Sequence, residues 1–253
     1  MAIISLRNLH KRFGKLVVLD GVSLDIEAGK TIVILGPSGT GKSVLLKHIV
    51  GLLRPDKGEV WFEGQRIDNM SERKLDPVRQ NFGFLFQMGA LFDSLTNLDN
   101  VAFPLVEHTT MDKAEIKRIA QEKLDMVGLP DAGPKMPIEL SGGMRKRVAL
   151  ARAIAMNPKV ILYDEPTTGL DPIRSDVINE LILKLQRELQ ITSIVVTHDM
   201  NSAFKVADRM VLLFDGKLRF DGTPDEMRNT DDQLVRRFIG GEAGDSELAI
   251  LDP

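Results

Sequence analysis

The chain has 253 residues, 43% hydrophobic and 27% charged, which excludes a disordered chain and leaves material for one large domain with a core. Lys plus Arg is 33 and Asp plus Glu is 36, so the net charge is −3, which argues against a protein that coats nucleic acid. The lack of cysteine excludes disulfides and thiol chemistry and fits a reducing compartment, and no apolar run approaches the roughly 18 residues of a membrane span. The first residues lack the layout of a signal peptide. The expectation is a cytosolic protein whose membrane role comes through a partner.

In chain order, residues 2–7 and 17–26 are rich in Ile, Val and Leu, and Asp20-Gly21 reads as a turn between short strands. Residues 31–35 form a nearly unbroken apolar run, which suits a strand buried on both faces of a parallel sheet. After a Gly-rich loop, Val44, Leu45, Ile49, Leu52 and Leu53 give residues 42–53 helical spacing, ended by Arg54-Pro55-Asp56-Lys57-Gly58. Residues 82–86 are a further apolar run. Strand signals then disappear, and residues 112–127 and 143–156 carry helical periodicity around a loop marked by Pro134 and Pro137. This predicts a helical subdomain, about 88–158, inserted between strands.

Strand–helix alternation then resumes: a strand at 160–163, a helix at 173–189, a strand at 192–197 and a short helix at 199–207. Residues 208–222 read as a hairpin turned at Asp215-Gly216-Lys217. The alternation predicts an α/β fold with a mostly parallel sheet. Residues 231–239 form a short amphipathic helix with Leu234, Val235, Phe238 and Ile239 on its apolar face, stopped by Gly240-Gly241. The expected layout is one domain over 1–240 and a flexible acidic tail over 241–253. Leu248-Ala249-Ile250-Leu251 in that tail is either a frayed end or a docking segment for a neighbouring subunit.

Three segments carry chemistry. Gly36-Pro37-Ser38-Gly39-Thr40-Gly41-Lys42-Ser43 fits G-x-x-x-x-G-K-[ST] where a strand ends and a helix starts. Its glycines let N–H groups curl around phosphate oxygens, and the helix turns its positive end toward them. Lys42 would neutralise the β/γ-phosphates and the Ser43 hydroxyl would ligate Mg²⁺. Residues 160–165 form a buried strand ending in Asp164-Glu165, at the end where open α/β sheets bind ligands. Asp164 would hold Mg²⁺ through water, and Glu165 would polarise an attacking water. Leu140-Ser141-Gly142-Gly143-Met144 is a second potential anion site, with Ser141 as N-cap of the next helix. One nucleotide does not need two such helix ends from one chain unless two chains share it.

With these motifs the chain resembles the ATP-binding subunit of ABC transporters over about residues 3–240. The expected fold is a P-loop NTPase of ABC ATPase type: a mostly parallel core, an antiparallel β subdomain and the helical insertion. The resemblance implies that Phe13 stacks on adenine and that residues 36–43 are the Walker A loop. Gln87 matches the glutamine that senses Mg²⁺ and the γ-phosphate. Residues 140–144 match the signature, with Ser141, Gly142 and Gly143 serving the partner's nucleotide. Residues 160–165 match Walker B with Glu165 as catalytic glutamate. Asp171 belongs to the D-loop and also acts in trans, and His198 matches the switch histidine. The implied cofactors are ATP and Mg²⁺, and the implied working unit is two copies closed head-to-tail around two nucleotides.

Met144 departs from the usual glutamine. Together with Gln87-Met88-Gly89-Ala90-Leu91-Phe92 and Asn100-Val101-Ala102-Phe103-Pro104-Leu105, it is similar to the subgroup serving MCE-type (Mla-like) lipid transporters. That resemblance implies phospholipid trafficking with membrane permease subunits and an MCE-domain lipid-binding protein, at the cytoplasmic face of the cytoplasmic membrane, without nucleic acid. The alternatives are an importer subunit for another solute, such as an amino acid, and a non-transport ABC ATPase. DNA-repair ATPases place a long coiled coil between the first motif and the signature, whereas here 97 residues without sustained heptads separate Ser43 from Ser141. Residues 88–110 are apolar for a surface, which fits either packing of the helical subdomain or a groove for a short permease helix.

Overall fold

The computed structural model describes residues 1–242. Two sheets share the chain. The first is antiparallel, in the order β2–β1–β4–β5, from β1 (Ala2–Phe13), β2 (Leu16–Glu27), β4 (Lys57–Phe62) and β5 (Gln65–Arg66). The second has the order β10–β9–β3–β8–β7–β6, from β3 (Thr31–Leu35), β6 (Phe82–Leu85), β7 (Val160–Asp164), β8 (Thr192–Val196), β9 (Arg209–Phe214) and β10 (Lys217–Gly222). Every pairing in it is parallel except the edge pair of β9 and β10. Helices α1 (Lys42–Ile49) and α2 (Glu72–Arg79) belong to the first half of the chain. Helices α3 (Asn97–His108), α4 (Lys113–Met126) and α5 (Gly142–Ala153) lie between β6 and β7 and pack on one another. Helices α6 (Pro172–Leu189), α7 (Met200–Val206), α8 (Pro224–Arg228) and α9 (Gln233–Gly240) follow.

The apolar runs become strands because the parallel sheet is covered on both faces. Alternate residues of β3 serve different cores: Val33 and Leu35 join the helices α3–α7, while Ile32 and Ile34 join α1 and the antiparallel sheet. β7 divides likewise, with Ile161 and Tyr163 on one side and Val160 and Leu162 on the other. A strand apolar at every position is what such a two-sided environment selects.

Several local expectations need correction. Asp20-Gly21 is not a turn between strands. It lies inside β2, where Leu9 pairs with Val22 and His10 with Asp20, so Gly21 is the extra residue of a bulge. The reversal falls instead at Gly14-Lys15. The first helix is shorter than its apolar spacing, stopping at Ile49, and α2 and α3, which carry Pro77 and Pro104 inside them, were not anticipated. In α3 the hydroxyl of Thr96 caps the start by accepting the Asp99 N–H. The segment 248–251 lies outside the described residues.

β6 approaches α5 closely through Gly83, where a Cβ would collide with the Ala153 carbonyl oxygen. Gly83→Ala should therefore destabilise the protein by about 1–3 kcal/mol through overpacking. A lower urea midpoint with an unchanged m-value is the expected result.

Candidate nucleotide site

Four loops leave the same edge of the parallel sheet. In register, Ile34 pairs with Val196, Val196 with Asp164, and Leu85 with Tyr163. The chain leaving β3 becomes the loop 36–41, and β7 runs into Glu165. The chain leaving β8 becomes Thr197-His198, and β6 runs into Phe86-Gln87. Parallel strands thus deliver segments far apart in sequence to one crevice.

The loop after β3 is shaped by backbone sterics. Gly36 has φ +153°, and a Cβ there would collide with the Leu213 carbonyl oxygen and press on Thr40 Oγ1. No side chain caps α1, so its first-turn N–H groups face the loop, as an anion-binding helix start requires. Lys42 Nζ folds back to donate to the carbonyls of Gly36 and Pro37, both at 2.7 Å. The Thr40 hydroxyl donates to Pro37 O at 2.8 Å. Burial pushes the Lys42 ammonium below its ordinary pKa, while the charges of Glu165 and Asp164 pull it back up. Ser38, Gly39 and Ser43 are exposed.

Asp164 is held above the usual carboxylate range, first by burial and then by the neighbouring charge of Glu165, with Lys42 and Lys47 opposing. A half-buried carboxylate in that position favours a cation beside it. Its oxygen, the Ser43 hydroxyl and the Gln87 amide oxygen are hard donors of the kind Mg²⁺ takes. Among the described residues there is no cluster of three His, Cys, Asp or Glu side chains that would hold a metal by themselves.

Glu165 adopts φ +52°, a conformation that costs a non-glycine residue of order 1 kcal/mol or more. Its N–H donates to Val196 O at 2.8 Å. Its side chain is 15% exposed, and Oε2 lies 2.9 Å from His198 Nδ1. The hydroxyls of Thr168 and Thr197 donate to the same oxygen at 3.2 and 3.4 Å. His198 is itself 68% exposed, so it closes over the carboxylate from the solvent side. Neither threonine was anticipated from sequence. Nor was Lys146 of α5, whose ammonium donates to the carbonyls of Glu165, Pro166 and Thr168 at 3.3, 2.8 and 2.7 Å.

Not every expected residue meets here. Ser141 caps α5 by accepting the Met144 N–H at 3.3 Å, and Gly142 and Gly143 lie against Leu170 and Arg174. Among the described residues no hydrogen bond or ion pair joins Ser141 to the loop 36–43. Asp171 caps α6 by accepting the Arg174 N–H at 2.9 Å. Phe13 is 50% exposed beside exposed Leu16, with Lys11 Nζ 5.6 Å from its ring centroid, so it is not a core residue. Gln87 is exposed at the mouth of the crevice.

Gly36→Ala should lower stability by about 2–4 kcal/mol, combining backbone strain with overpacking. Chemical unfolding checks it; an unchanged midpoint would show that the loop has room the geometry denies.

A family description of ABC transporters matches residues 19–168. The "Intermembrane phospholipid transport system ATP-binding protein MlaF" of Haemophilus influenzae is 45% identical over 241 residues, 95% of this chain and 91% of that protein. The "Probable ribonucleotide transport ATP-binding protein mkl" of Mycobacterium leprae is 45% identical over 238 residues, 94% of this chain and 69% of that protein. A dimeric ATP-binding cassette in a post-hydrolysis state with ADP and Pi superposes with a TM-score of 0.79 at 36% identity, covering 87% of this chain and 98% of that one. A cassette of the Clostridium perfringens ABC transporter complex cbiONQ gives 0.83 at 30% identity, covering 94% of this chain and 97% of that one. This chain belongs to the family of ATP-binding, ATP-hydrolysing subunits of ABC transporters.

Proposed function

We propose that this chain hydrolyses ATP as one of two identical copies that drive a phospholipid transporter, and that the residues at the sheet edge carry that reaction. The observation that carries the reading is the convergence of Lys42, Asp164, Glu165 and His198 beside a loop built to wrap phosphate. Lys42 releases the carbonyls of Gly36 and Pro37 and turns to the β/γ-phosphates, where its charge is better compensated. The N–H groups of residues 36–43 surround the phosphate oxygens. Ser43, Gln87 and Asp164 would hold Mg²⁺, which would supply positive charge to neutralise the phosphates. Glu165 orients the attacking water and accepts its proton, and His198 steadies the γ-phosphate end. Phe13 supports the adenine.

Ser141, Gly142, Gly143 and Asp171 act on the partner copy's nucleotide. Among the described residues no hydrogen bond or ion pair ties Ser141 to loop 36–43 of its own chain, and a dimeric post-hydrolysis cassette stands among the structural relatives; both support this arrangement. Permease subunits provide the path across the membrane and hold this chain at its cytoplasmic face, a reading that rests on the ABC transporter family and the MlaF relative. No described helix is itself long and apolar enough to cross a membrane. A groove of about 480 Å³ between β6 and the helical insertion suits a short permease helix. It is walled by Phe82, Phe84, Phe86, Phe92 and Phe103, with Arg152 at its side.

The phospholipid cargo, and an MCE-domain partner with it, rest on Met144, on the sequence around Gln87 and on the MlaF relative. The mycobacterial relative's name points to a different cargo. The complex purified with its permease should carry phospholipid detectable by mass spectrometry. A bound ribonucleotide or amino acid without phospholipid would overturn the cargo and leave the ATPase reading standing.

Glu165→Gln should lower kcat by about 10²-fold or more while ATP affinity stays near wild type, because the amide keeps the shape and loses the base. Turnover at the wild-type rate would remove Glu165 from the reaction.

A further inference from the structure

Helix α5 carries a run of basic residues that end on backbone carbonyls. Arg145 donates to Leu140 O, Arg147 to Val127 and Gly128 O, and Arg152 to Gly89 and Ala90 O. Lys146 differs in its target. It is 6% exposed and its three acceptors all belong to the turn that begins at Glu165. That turn opens with the left-handed backbone of Glu165 and returns the Thr168 hydroxyl to the Glu165 carboxylate.

We propose that Lys146 is a positioning residue for ATP hydrolysis: its ammonium gathers the carbonyls of Glu165, Pro166 and Thr168 and so fixes the direction in which the Glu165 carboxylate points.

The geometry leaves the turn few other ties. The Glu165 N–H is held by Val196 O from the β8 side, and the Thr168 N–H reaches Glu165 O at a long 3.3 Å. The three carbonyls lie within a span of four residues, and a chain that aims them at one point needs a compact donor with three protons. An ammonium provides this; without it their mutual repulsion opens the turn. Release of the turn lets Glu165 relax from φ +52° toward an ordinary conformation, which swings its side chain away from Thr168, Thr197 and His198. Burial lowers the Lys146 pKa to about 8, and the nearby Glu165 charge opposes that fall. The same helix begins at Ser141, so Lys146 also ties the catalytic turn to the segment proposed to serve the partner's nucleotide.

The inference rests on the reading of Glu165 as the group that activates water, and its test separates the two. Lys146→Met keeps the stem and loses all three donors. Lys146→Arg keeps a charged donor. Steady-state ATPase kinetics of the full chain, with ATP affinity and melting temperature measured beside them, are compared for both variants and for Glu165→Gln. Lys146→Met should lower kcat by about 10- to 100-fold with KM and ATP affinity unchanged, and Lys146→Arg should recover most of the loss. Lys146→Gln gives the same readout where Met is not tolerated. Wild-type kcat in Lys146→Met overturns the inference. So does equal damage in Lys146→Met and Lys146→Arg, or a parallel loss of ATP affinity and melting temperature, which would make Lys146 a packing residue. An inactive Glu165→Gln beside a fully active Lys146→Met overturns the inference alone, whereas an active Glu165→Gln overturns the reading beneath it.

Discussion

Val196 at the end of β8 stands opposite Ile34 of β3 on one side and Asp164 of β7 on the other. That shared register decides where the loop 36–41, the pair Asp164-Glu165 and Thr197-His198 emerge. A slip of one residue would turn each end to the other face of the sheet and scatter the site. The register in turn is fixed by burial on both faces, since each strand feeds alternate residues into two separate cores. The chemistry at the edge therefore depends on apolar packing several residues behind it.

At that edge the charges constrain one another. Burial and the charge of Glu165 raise the cost of ionising Asp164, and both carboxylates favour the charged form of Lys42. Lys42 meanwhile rests on two loop carbonyls, and Glu165 on two hydroxyls and a histidine. Each group thus has partners that phosphate, a cation or water can replace at little reorganisation. Preorganised polar groups of this kind account for most of the rate enhancement expected of phosphoryl transfer.

Much of this was legible in the sequence, because short unbroken apolar runs such as residues 31–35 and 160–163 suit strands buried on both faces. The Gly-rich loop and the acidic strand end are constrained by local sterics and charge, so their types and spacing are visible. What was hidden depends on tertiary contact. Asp20-Gly21 has the composition of a turn, yet the neighbouring strand absorbs Gly21 as a bulge. Pro77 and Pro104 argue against helices that packing nonetheless holds. Residues 143–156 show only helical periodicity in the sequence, and the fold reveals that Lys146 is buried on the turn after β7. Ser141 was found as a helix cap and accepts the Met144 N–H of its own chain, while its proposed role lies at the nucleotide of the other copy.

That proposed role is the centre of the account, in which a complete nucleotide site would take its phosphate loop from one copy and Ser141 from the other. Mixed dimers measure this most directly. One copy carries Lys42→Ala and the other Ser141→Arg, so both lesions fall in one composite site and the second site keeps two intact halves. The account predicts that each homodimer is inactive and that the mixed dimer retains ATPase activity. Normal hydrolysis by the Ser141→Arg homodimer, or a mixed dimer as inactive as both homodimers, would contradict it.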